Sequence, residues 1–338
     1  MKLIGSVMLK QSTVHVAFAG MLFAGILLST GCAARRPLMK PVTVKVEGSE
    51  TLFKPGEIID LEAGAAVGFE AMMEALQHKD LLFIGEVHSD PEHHLMQVQI
   101  LQRWIHGEAH PVIAMECFQT TQQEALDRYL AGDLDEAAFL EEAQWDAEWG
   151  FPYHYYRPLL DLVRAKQGRI LAINAPREIV KKVARTGIES LSTEERAQIA
   201  PEIDLTREAH REYVQAVFPL HAAHGRGEDF ERFYQAQCVW EDTMAENIAR
   251  FKLENPAARI AVFAGNGHLK YGFGVPERTV ERAPSDAAVV LPYPAASDLV
   301  LERGMADFVW LSRAVRVSFG KHPRPPSAGD EGGISWNP

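Results

Sequence analysis

Short apolar runs separated by longer amphipathic stretches are the feature that most restricts how this chain can fold. The runs are rich in β-branched and large aliphatic residues, and they cover Leu81–Ile84, Val112–Met115, Ile170–Ile173, Ile260–Ala264 and Ala287–Leu291. Runs of this length and composition predict buried strands, and the stretches between them predict helices. Because strands that alternate with helices usually form a mostly parallel sheet, we predict an α/β fold whose central sheet is flanked by helices.

The interval between the third and fourth predicted strands is much longer than the others. Residues from about 176 to 255 carry no strand signal. Within them, Ser192–Glu195 has the pattern of a capping box, and a long amphipathic helix is predicted from Glu228 to about Glu254. We expect this helical insertion to cover the carboxyl ends of the strands, as part of one domain over residues 46–318.

Two Gly-x-x-His sequences follow apolar runs that are far apart in the chain. Gly85–His88 ends the first run, and Gly265–His268 ends the fourth. Open α/β sheets build their binding sites at the carboxyl ends of their strands. We therefore expect the imidazoles of His88 and His268 to face one pocket, although a single histidine after a strand is more often a hydrogen-bonded structural residue.

Two carboxylates are predicted at the same edge of the sheet, because Glu86 follows the first run and Glu116 follows the second. Imidazole nitrogens and carboxylate oxygens suit a divalent transition metal, which makes His88, Glu116 and His268 candidate ligands. Glu86 is a candidate ligand or general base, and Asn266 is a candidate for orienting a carbonyl or a water. If the site is hydrolytic, Glu86 and Asn266 are its candidate catalytic residues.

The first 31 residues have the pattern of a bacterial lipoprotein signal peptide. A short basic start is followed by an apolar stretch from about Val14 to Leu28, and then by small residues before Cys32. Cleavage before Cys32 would leave this cysteine to carry the lipid. An uncleaved anchor helix is the alternative, but the apolar stretch is short for a membrane span. Ala33, where an aspartate would retain a lipoprotein at the inner membrane, favours the outer membrane.

The segments that flank the predicted domain carry little core-forming sequence. Residues 32–45 are predicted to be a lipidated tether, and residues 319–338, which are rich in proline and glycine, a disordered tail. The formal net charge of −12 argues against nucleic-acid binding. Cys117 and Cys238 could form one bridge in an oxidising compartment or remain buried thiols.

Taken together, these motifs resemble the ChaN family of haem-binding lipoproteins, within a wider superfamily that includes the Tiki and TraB proteins. The resemblance runs from about Thr51 to Arg278. It is carried, in chain order, by Leu82–His88, His93-His94-x-x-Gln97, Ala114–Glu116, Trp149–Gly150, Asn174–Arg177, Gln237-x-x-Trp240-x-x-x-Met244-Ala245 and Ala264–His268. The ordered set is specific, whereas any one of the short motifs is not.

The resemblance implies an α/β core with a helical insertion, haem as the bound cofactor, and a role in haem and iron uptake at the outer membrane, facing the periplasm. It also implies a tyrosine as axial ligand of the haem, pairing of two subunits, and an outer-membrane transport system as partner. We take Tyr213 as the first candidate ligand, with Tyr271 and Tyr234 behind it. His88 is a further candidate for contact with the haem.

The sequence leaves three functions open. The first is haem binding, and the second is a metal-dependent hydrolase, a peptidase or esterase similar to the Tiki proteins. The third is a scaffold lipoprotein with a degenerate site. The aromatic stretch from Trp145 to Tyr156 also has two interpretations, as a surface for porphyrin or as a loop that packs over the sheet.

Overall fold

The fold is described from a computed structural model, over residues 42–222 and 229–313. The predicted signal peptide, the predicted lipidation site Cys32 and the predicted tail lie outside these residues. No helix in the described ranges is long and apolar enough to cross a membrane.

The strands of the described residues fall into one large sheet and one two-stranded ladder. They are β1 (Lys45–Val46), β2 (Ile58–Asp60), β3 (Ala65–Val67), β4 (Leu81–Glu86), β5 (Val112–Gln119), β6 (Arg169–Asn174), β7 (Ile260–Gly265), β8 (Ala287–Pro294), β9 (Val300–Leu301) and β10 (Phe308–Ser312). All five predicted strands are present, as is the late strand that the sequence suggests near residues 307–311.

The α-helices of the described ranges lie mostly between the strands. They are α1 (Phe69–Leu76), α2 (Pro91–Trp104), α3 (Gln123–Ala131), α4 (Glu136–Glu142), α5 (Trp145–Glu148), α6 (Tyr153–Ala165), α7 (Arg177–Thr186), α8 (Thr193–Arg196), α9 (Glu208–Ala222), α10 (Phe230–Glu254), α11 (Asn266–Leu269) and α12 (Val275–Arg282). The predicted helical insertion corresponds to α7–α10. The segment from Trp145 to Tyr156 contains α5 and the first residues of α6, joined by a non-helical connection over residues 149–152.

The large sheet has the strand order β3-β2-β10-β8-β4-β7-β5-β6. The strands from β10 to β6 are parallel, and only the edge pairs β10–β2 and β2–β3 are antiparallel. This arrangement confirms the predicted α/β class with a mostly parallel sheet. Because β4 and β7 are neighbours in register, with Glu86 opposite Gly265, their carboxyl ends meet at one place.

The residues of β4 alternate between two hydrophobic clusters, one on each face of the sheet. Leu82 and Ile84 belong to the cluster that includes residues of α1, α2 and α6. Leu81 and Phe83 belong to the cluster that includes residues of α10. A strand that is covered on both faces reads as a continuous apolar run, which is why the sequence identifies this part of the fold clearly.

Two other details differ from the sequence prediction or extend it. The predicted tether ends at residue 45, but Val44 is already fully buried and bridges Phe53, so the fold begins within that segment. Cys117 and Cys238 are both free thiols in buried positions.

Candidate functional site

The carboxyl end of β4 holds a cluster of buried polar side chains around Glu86. His88 Nδ1 donates to Glu86 Oε1 at 2.5 Å, and the Tyr156 hydroxyl donates to the same oxygen at 2.8 Å. Gln97 Nε2 donates to Glu86 Oε2 at 2.7 Å, while His94 Nδ1 lies 3.6 Å from that oxygen. We call these five residues the Glu86 cluster. Each carboxylate oxygen of Glu86 therefore accepts at least one hydrogen bond.

The charges inside the Glu86 cluster shift the ionisation of its members. Burial alone would raise the pKa of Glu86, but the neighbouring imidazoles of His94 and His88 and the donated hydrogen bonds lower it to about 2. Burial would lower the pKa of His88, but the hydrogen bond to Glu86 and the negative charges of Glu116 and Glu86 raise it. Glu86 is therefore held as a carboxylate, and its hydrogen bond keeps a proton on Nδ1 of His88.

A second buried network starts at Glu116 in β5. The Glu116 Oε2 atom accepts from the backbone N–H of Gly265 at 2.7 Å, and Oε1 lies 3.4 Å from His268 Nε2. The other ring nitrogen of His268, Nδ1, lies 3.1 Å from Glu241 Oε1, and Glu241 Oε2 lies 2.9 Å from His210 Nε2. We call Glu116, His268, Glu241 and His210 the imidazole–carboxylate chain. It joins β5 and α11 to the helices α10 and α9.

Attraction between the imidazoles and the carboxylates also shifts the pKa values of the residues in the imidazole–carboxylate chain. Burial would lower the pKa of His268, but the carboxylates of Glu116 and Glu241 raise it to about 10. Burial would raise the pKa values of Glu116 and Glu241, and the imidazoles beside them lower both. His268 is therefore held as an imidazolium between two carboxylates.

One ring nitrogen of His88 has no partner among the described residues. His88 is 3 % exposed, and its Nε2 atom makes no hydrogen bond there. A Cβ atom added to Gly265 would lie 3.0 Å from this nitrogen and 3.7 Å from Glu116 Oε2. Gly265 thus leaves space for the His88 ring, which is packed against Trp149 and Phe151 at centroid distances of 4.7 and 5.1 Å.

His88 belongs to the lining of a cleft of about 640 Å³, part of it open to solvent. The lining includes three buried polar residues, three partly buried aromatic residues and two cationic ones. These are His88, Glu116 and Asn174, then Trp149, Phe151 and Trp240, and then Arg177 and Lys181. The lining combines residues at the ends of β5 and β6 with residues of α7 and α10. The helical insertion therefore lies at the site edge of the sheet, as predicted.

The predicted metal ligands do not converge on a common point. The two ring nitrogens of His268 face Glu116 and Glu241. Glu116 Oε2 accepts a hydrogen bond from the Gly265 N–H. His88 Nδ1 is hydrogen-bonded to Glu86. Within residues 42–222 and 229–313, no group of three or more His, Cys, Asp or Glu side chains is arranged to hold a metal ion. The donor set therefore does not fit a divalent metal, and the metal prediction has no support here.

Asn266 lies outside the cleft. Its Nδ2 donates to the carbonyl of Pro292 at 2.8 Å, and a Cβ atom added to Gly85 would lie 2.0 Å from its Oδ1. This side chain fills the space beside Gly85 and connects β8 to the end of β7. Its Oδ1 is buried and has no partner among the described residues, so the side chain packs between β7 and β8 and its predicted role in orienting a water stays a prediction.

Two of the tyrosines predicted to bind haem, Tyr213 and Tyr271, are in contact with each other. The ring of Tyr213 contacts Tyr271 at a centroid distance of 5.6 Å, and Tyr271 stacks on Phe273 at 5.3 Å. We call these three residues the tyrosine cluster. All three are partly exposed, whereas Tyr234 is 1 % exposed and donates its hydroxyl to the carbonyl of Arg207 at 3.3 Å.

The tyrosine cluster has the chemical features that a haem requires. Its rings offer an apolar, partly exposed surface, and two of them carry a phenol hydroxyl. Burial and the charge of Glu241 raise the pKa of Tyr213, and burial and Glu302 raise the pKa of Tyr271 to about 12. The residues present therefore fit an iron-porphyrin better than they fit a bare metal ion.

Two important residues of the site were missed by reasoning from sequence. Glu241 and His210 complete the imidazole–carboxylate chain. Tyr156 and Asn174 belong to motifs that the sequence analysis names, but their contacts with Glu86 and with the carbonyl of Glu116 were not predicted. Glu241 follows directly after Trp240 in the apolar stripe of the long helix, so an acidic residue next to a buried stripe was the available signal. His210 carried no comparable signal.

The fold and this site define a parallel α/β protein with buried carboxylates and imidazoles at the sheet edge, under a helical insertion. The chain belongs to the family described as haem-binding uptake, Tiki superfamily, ChaN, whose sequence pattern matches residues 72–279. This match confirms the family that the sequence motifs resemble.

Solved and curated proteins are also similar to this chain, and the first of them supports the fold. A structure of ChaN of Campylobacter jejuni with cofacially bound haem is 18 % identical, covers 75 % of this chain and 95 % of its own, and has a TM-score of 0.59. A mutant of the erythromycin esterase EreC is 13 % identical, covers 71 % and 76 %, and has a TM-score of 0.44. RETICULATA-RELATED 5 of Arabidopsis thaliana, a chloroplastic protein, is 24 % identical over 260 residues, which are 71 % of this chain and 35 % of the relative. The chain thus spans about a third of that curated protein.

Proposed function

We propose that this protein binds haem at the tyrosine cluster and takes part in haem and iron uptake. The observation that carries the proposal is the contact of the partly exposed Tyr213 ring with Tyr271, which stacks on Phe273, in a chain that belongs to a haem-binding family. A tyrosinate is a hard anionic oxygen ligand that suits ferric haem.

The residues of the tyrosine cluster would have separate roles. Tyr213 would supply the axial oxygen, and the rings of Tyr271 and Phe273 would pack against the porphyrin. Because burial and Glu241 raise the pKa of Tyr213, its hydroxyl keeps its proton at neutral pH until a ligand is bound. Formation of the tyrosinate would then release one proton to solvent. His88 lies in the cleft instead, and this placement favours Tyr213 over His88 as the haem ligand.

We propose that the protein works as a lipoprotein at the outer membrane, anchored through Cys32 and facing the periplasm. The support is the pattern of the first 31 residues together with the family. In this proposal two copies pair through haem, and an outer-membrane haem or iron transport system is the partner. Radiolabelled palmitate incorporation that is lost in Cys32→Ser would test the anchor, and retention of label in the variant would exclude it.

A haem titration followed by absorbance tests the binding proposal. We expect saturable binding with a shifted Soret band, and at least ~10-fold weaker binding in Tyr213→Phe, equivalent to about 1.4 kcal/mol. Tyr234→Phe is the matched control, because it removes a tyrosine hydroxyl that lies outside the cluster, and it should bind as the unmodified protein does. Equal affinity and an identical spectrum in Tyr213→Phe would exclude Tyr213 as the ligand.

The metal-dependent hydrolase remains a separate prediction that rests on His88, Glu116 and His268. Metal analysis of protein purified with added zinc or manganese tests it directly. A stoichiometric metal that is lost in His268→Gln would support it, and a metal content equal to that of the variant would contradict it.

A further inference from the structure

We propose that the cleft is a second functional site, which hydrolyses carboxylic esters with His88 as general base and without a metal ion. The proposal rests on the geometry around His88 and is independent of haem binding, because the tyrosine cluster and the cleft lining share no residue. The substrate is an ester with an apolar body and an anionic group.

The first observation is the orientation of the His88 ring. Glu86 Oε1 accepts a hydrogen bond from His88 Nδ1 at 2.5 Å, and Tyr156 and Gln97 hold the same carboxylate from two other directions. A carboxylate on one ring nitrogen fixes the tautomer and directs the other nitrogen toward the reacting group. Glu86 is therefore a positioning residue for His88.

The second observation is that the directed nitrogen has no protein partner. His88 Nε2 is buried and unpaired among the described residues, and His88 lines the cleft. Asn174 Oδ1, also buried and unpaired there, belongs to the same lining, while its Nδ2 donates to the carbonyl of Glu116 at 2.8 Å. Buried polar atoms rarely remain unpaired, so an acceptor and a ring nitrogen at one cleft indicate a site for a polar ligand.

Water is the nucleophile that this cleft can activate. None of the described residues in its lining is a serine or a threonine, and the one thiol, Cys117, is 5 % exposed. A water between His88 Nε2 and the Asn174 carbonyl oxygen would have an acceptor on each side for its two protons. This is the arrangement that general-base activation of water requires.

The reaction then balances with water as the only co-reactant. His88 Nε2 takes a proton from the water as its oxygen forms a bond to the ester carbonyl carbon. When the tetrahedral intermediate collapses, the carbon–oxygen bond to the alcohol breaks, and the leaving oxygen takes the proton from His88. The products are a carboxylic acid and an alcohol, and His88 returns to its starting state.

The remaining lining residues define the class of ester. Trp149, Phe151 and Trp240 give the cleft an aromatic side that suits an apolar acyl or alcohol group. Arg177 in α7 brings a guanidinium group to the same cleft, whereas Lys181 is paired with Glu178 at 2.7 Å and Glu148 also belongs to the lining. The guanidinium of Arg177 would bind a carboxylate or a similar anion at the far end of the substrate.

Steady-state hydrolysis of two probes tests the proposal: neutral 4-nitrophenyl butyrate and anionic mono(4-nitrophenyl) glutarate. We expect turnover of both in the presence of EDTA, with a lower KM for the anionic ester. In His88→Gln, kcat should fall by ~100-fold or more, in line with the usual contribution of a general base. The control is His106→Asn, which changes an exposed histidine on the surface and should keep full activity.

Further variants separate catalysis from folding. Gly265→Ala keeps both imidazoles but places a methyl group 3.0 Å from His88 Nε2, so it should lower kcat as strongly as His88→Gln. Glu86→Gln should lower kcat while leaving KM unchanged, which a general loss of structure would not do. Arg177→Gln should raise KM for the anionic ester and leave the KM of the neutral ester unchanged.

Defined results would overturn the proposal. These are turnover no faster than that of His88→Gln, turnover abolished by EDTA, or turnover lost in Cys117→Ala, which would make the thiol the nucleophile. The haem titration on the same preparations is a separate readout, so failure of ester hydrolysis and failure of haem binding can be told apart.

Discussion

Glu241 Oε1 in α10 lies 3.1 Å from His268 Nδ1 in α11, the short helix that directly follows β7. A fully buried carboxylate therefore connects the helical insertion to the carboxyl end of this strand. The second oxygen of Glu241 lies 2.9 Å from His210, and Arg278 Nε lies 3.8 Å away. Three cationic or protonatable groups therefore depend on this one carboxylate. Through this contact, the helical insertion contributes a charged residue to the site itself.

Replacement of Glu241 by glutamine should strongly destabilise the protein. Removing one member of a buried charge network leaves its partners buried without compensation, which typically costs about 3–5 kcal/mol. Urea unfolding followed by circular dichroism would measure the loss. Glu246→Gln on the same helix is the control, because Glu246 is 31 % exposed and its contact with Arg282 should contribute less than ~1 kcal/mol. Equal effects of the two substitutions would contradict the buried-network interpretation.

The carboxylate of Glu86 should make the protein sensitive to acid. Its pKa is lowered from 4.5 to about 2, so its contribution to the free energy of unfolding is complete above pH 4.5 and disappears as the pH falls toward 2. Unfolding at a series of pH values, in the unmodified protein and in Glu86→Gln, measures this contribution as a difference. The difference should be about 2–4 kcal/mol at pH 6 and should shrink steadily below pH 4.5. A difference that stays constant down to pH 2.5 would show that Glu86 has no depressed pKa.

The imidazolium of His268 should give the opposite dependence at alkaline pH. Its pKa is raised from 6.5 to about 10, so its stabilising effect is complete below pH 6.5 and is lost as the pH rises through 10. NMR titration of the His268 ring protons would follow the group directly. Most of the chemical-shift change should occur above pH 8, and a midpoint near pH 6.5 would contradict the double pairing with Glu116 and Glu241.

Two glycines of the Gly-x-x-His sequences should respond very differently to alanine. A Cβ at Gly85 would lie 2.0 Å from Asn266 Oδ1 and 2.7 Å from Leu291 Cδ2, whereas nothing lies within 4 Å of a Cβ at Gly267. Because overpacking typically costs 1–3 kcal/mol, Gly85→Ala should unfold at a clearly lower temperature. Gly267→Ala should unfold within a degree or two of the unmodified protein. Similar melting temperatures for the two variants would show that Asn266 can move aside.

The central sheet could be predicted from the sequence because β4, β5, β6, β7 and β8 are covered on both faces and read as apolar runs. The strands β1, β2, β3 and β9 were not predicted, because two or three residues with mixed burial leave no pattern. Such short strands form only because a neighbouring strand supplies their hydrogen-bond partners. Their positions therefore follow from the tertiary structure and not from local sequence.

The candidate site was predicted in part, for a similar reason. His88, Glu116 and His268 come to one edge because the ends of parallel strands must meet there. The pairing of His268 with Glu241 depends instead on how a helix of the insertion packs, which no spacing in the chain specifies. The same packing directs both His268 nitrogens to carboxylates, so the predicted metal site did not appear in the described residues.

The order of the strands also determines when the site can form during synthesis. The strand β4 is made early, but both of its neighbours, β7 and β8, come from the last third of the chain. Pairing between such distant segments is slow, because a long loop must close before any contact forms. A ribosome must therefore pass residue 294 before β4 has both of its partners. A stop codon before β8 would leave β4 paired with β7 alone, and it would also remove β10, the strand that connects β8 to β2.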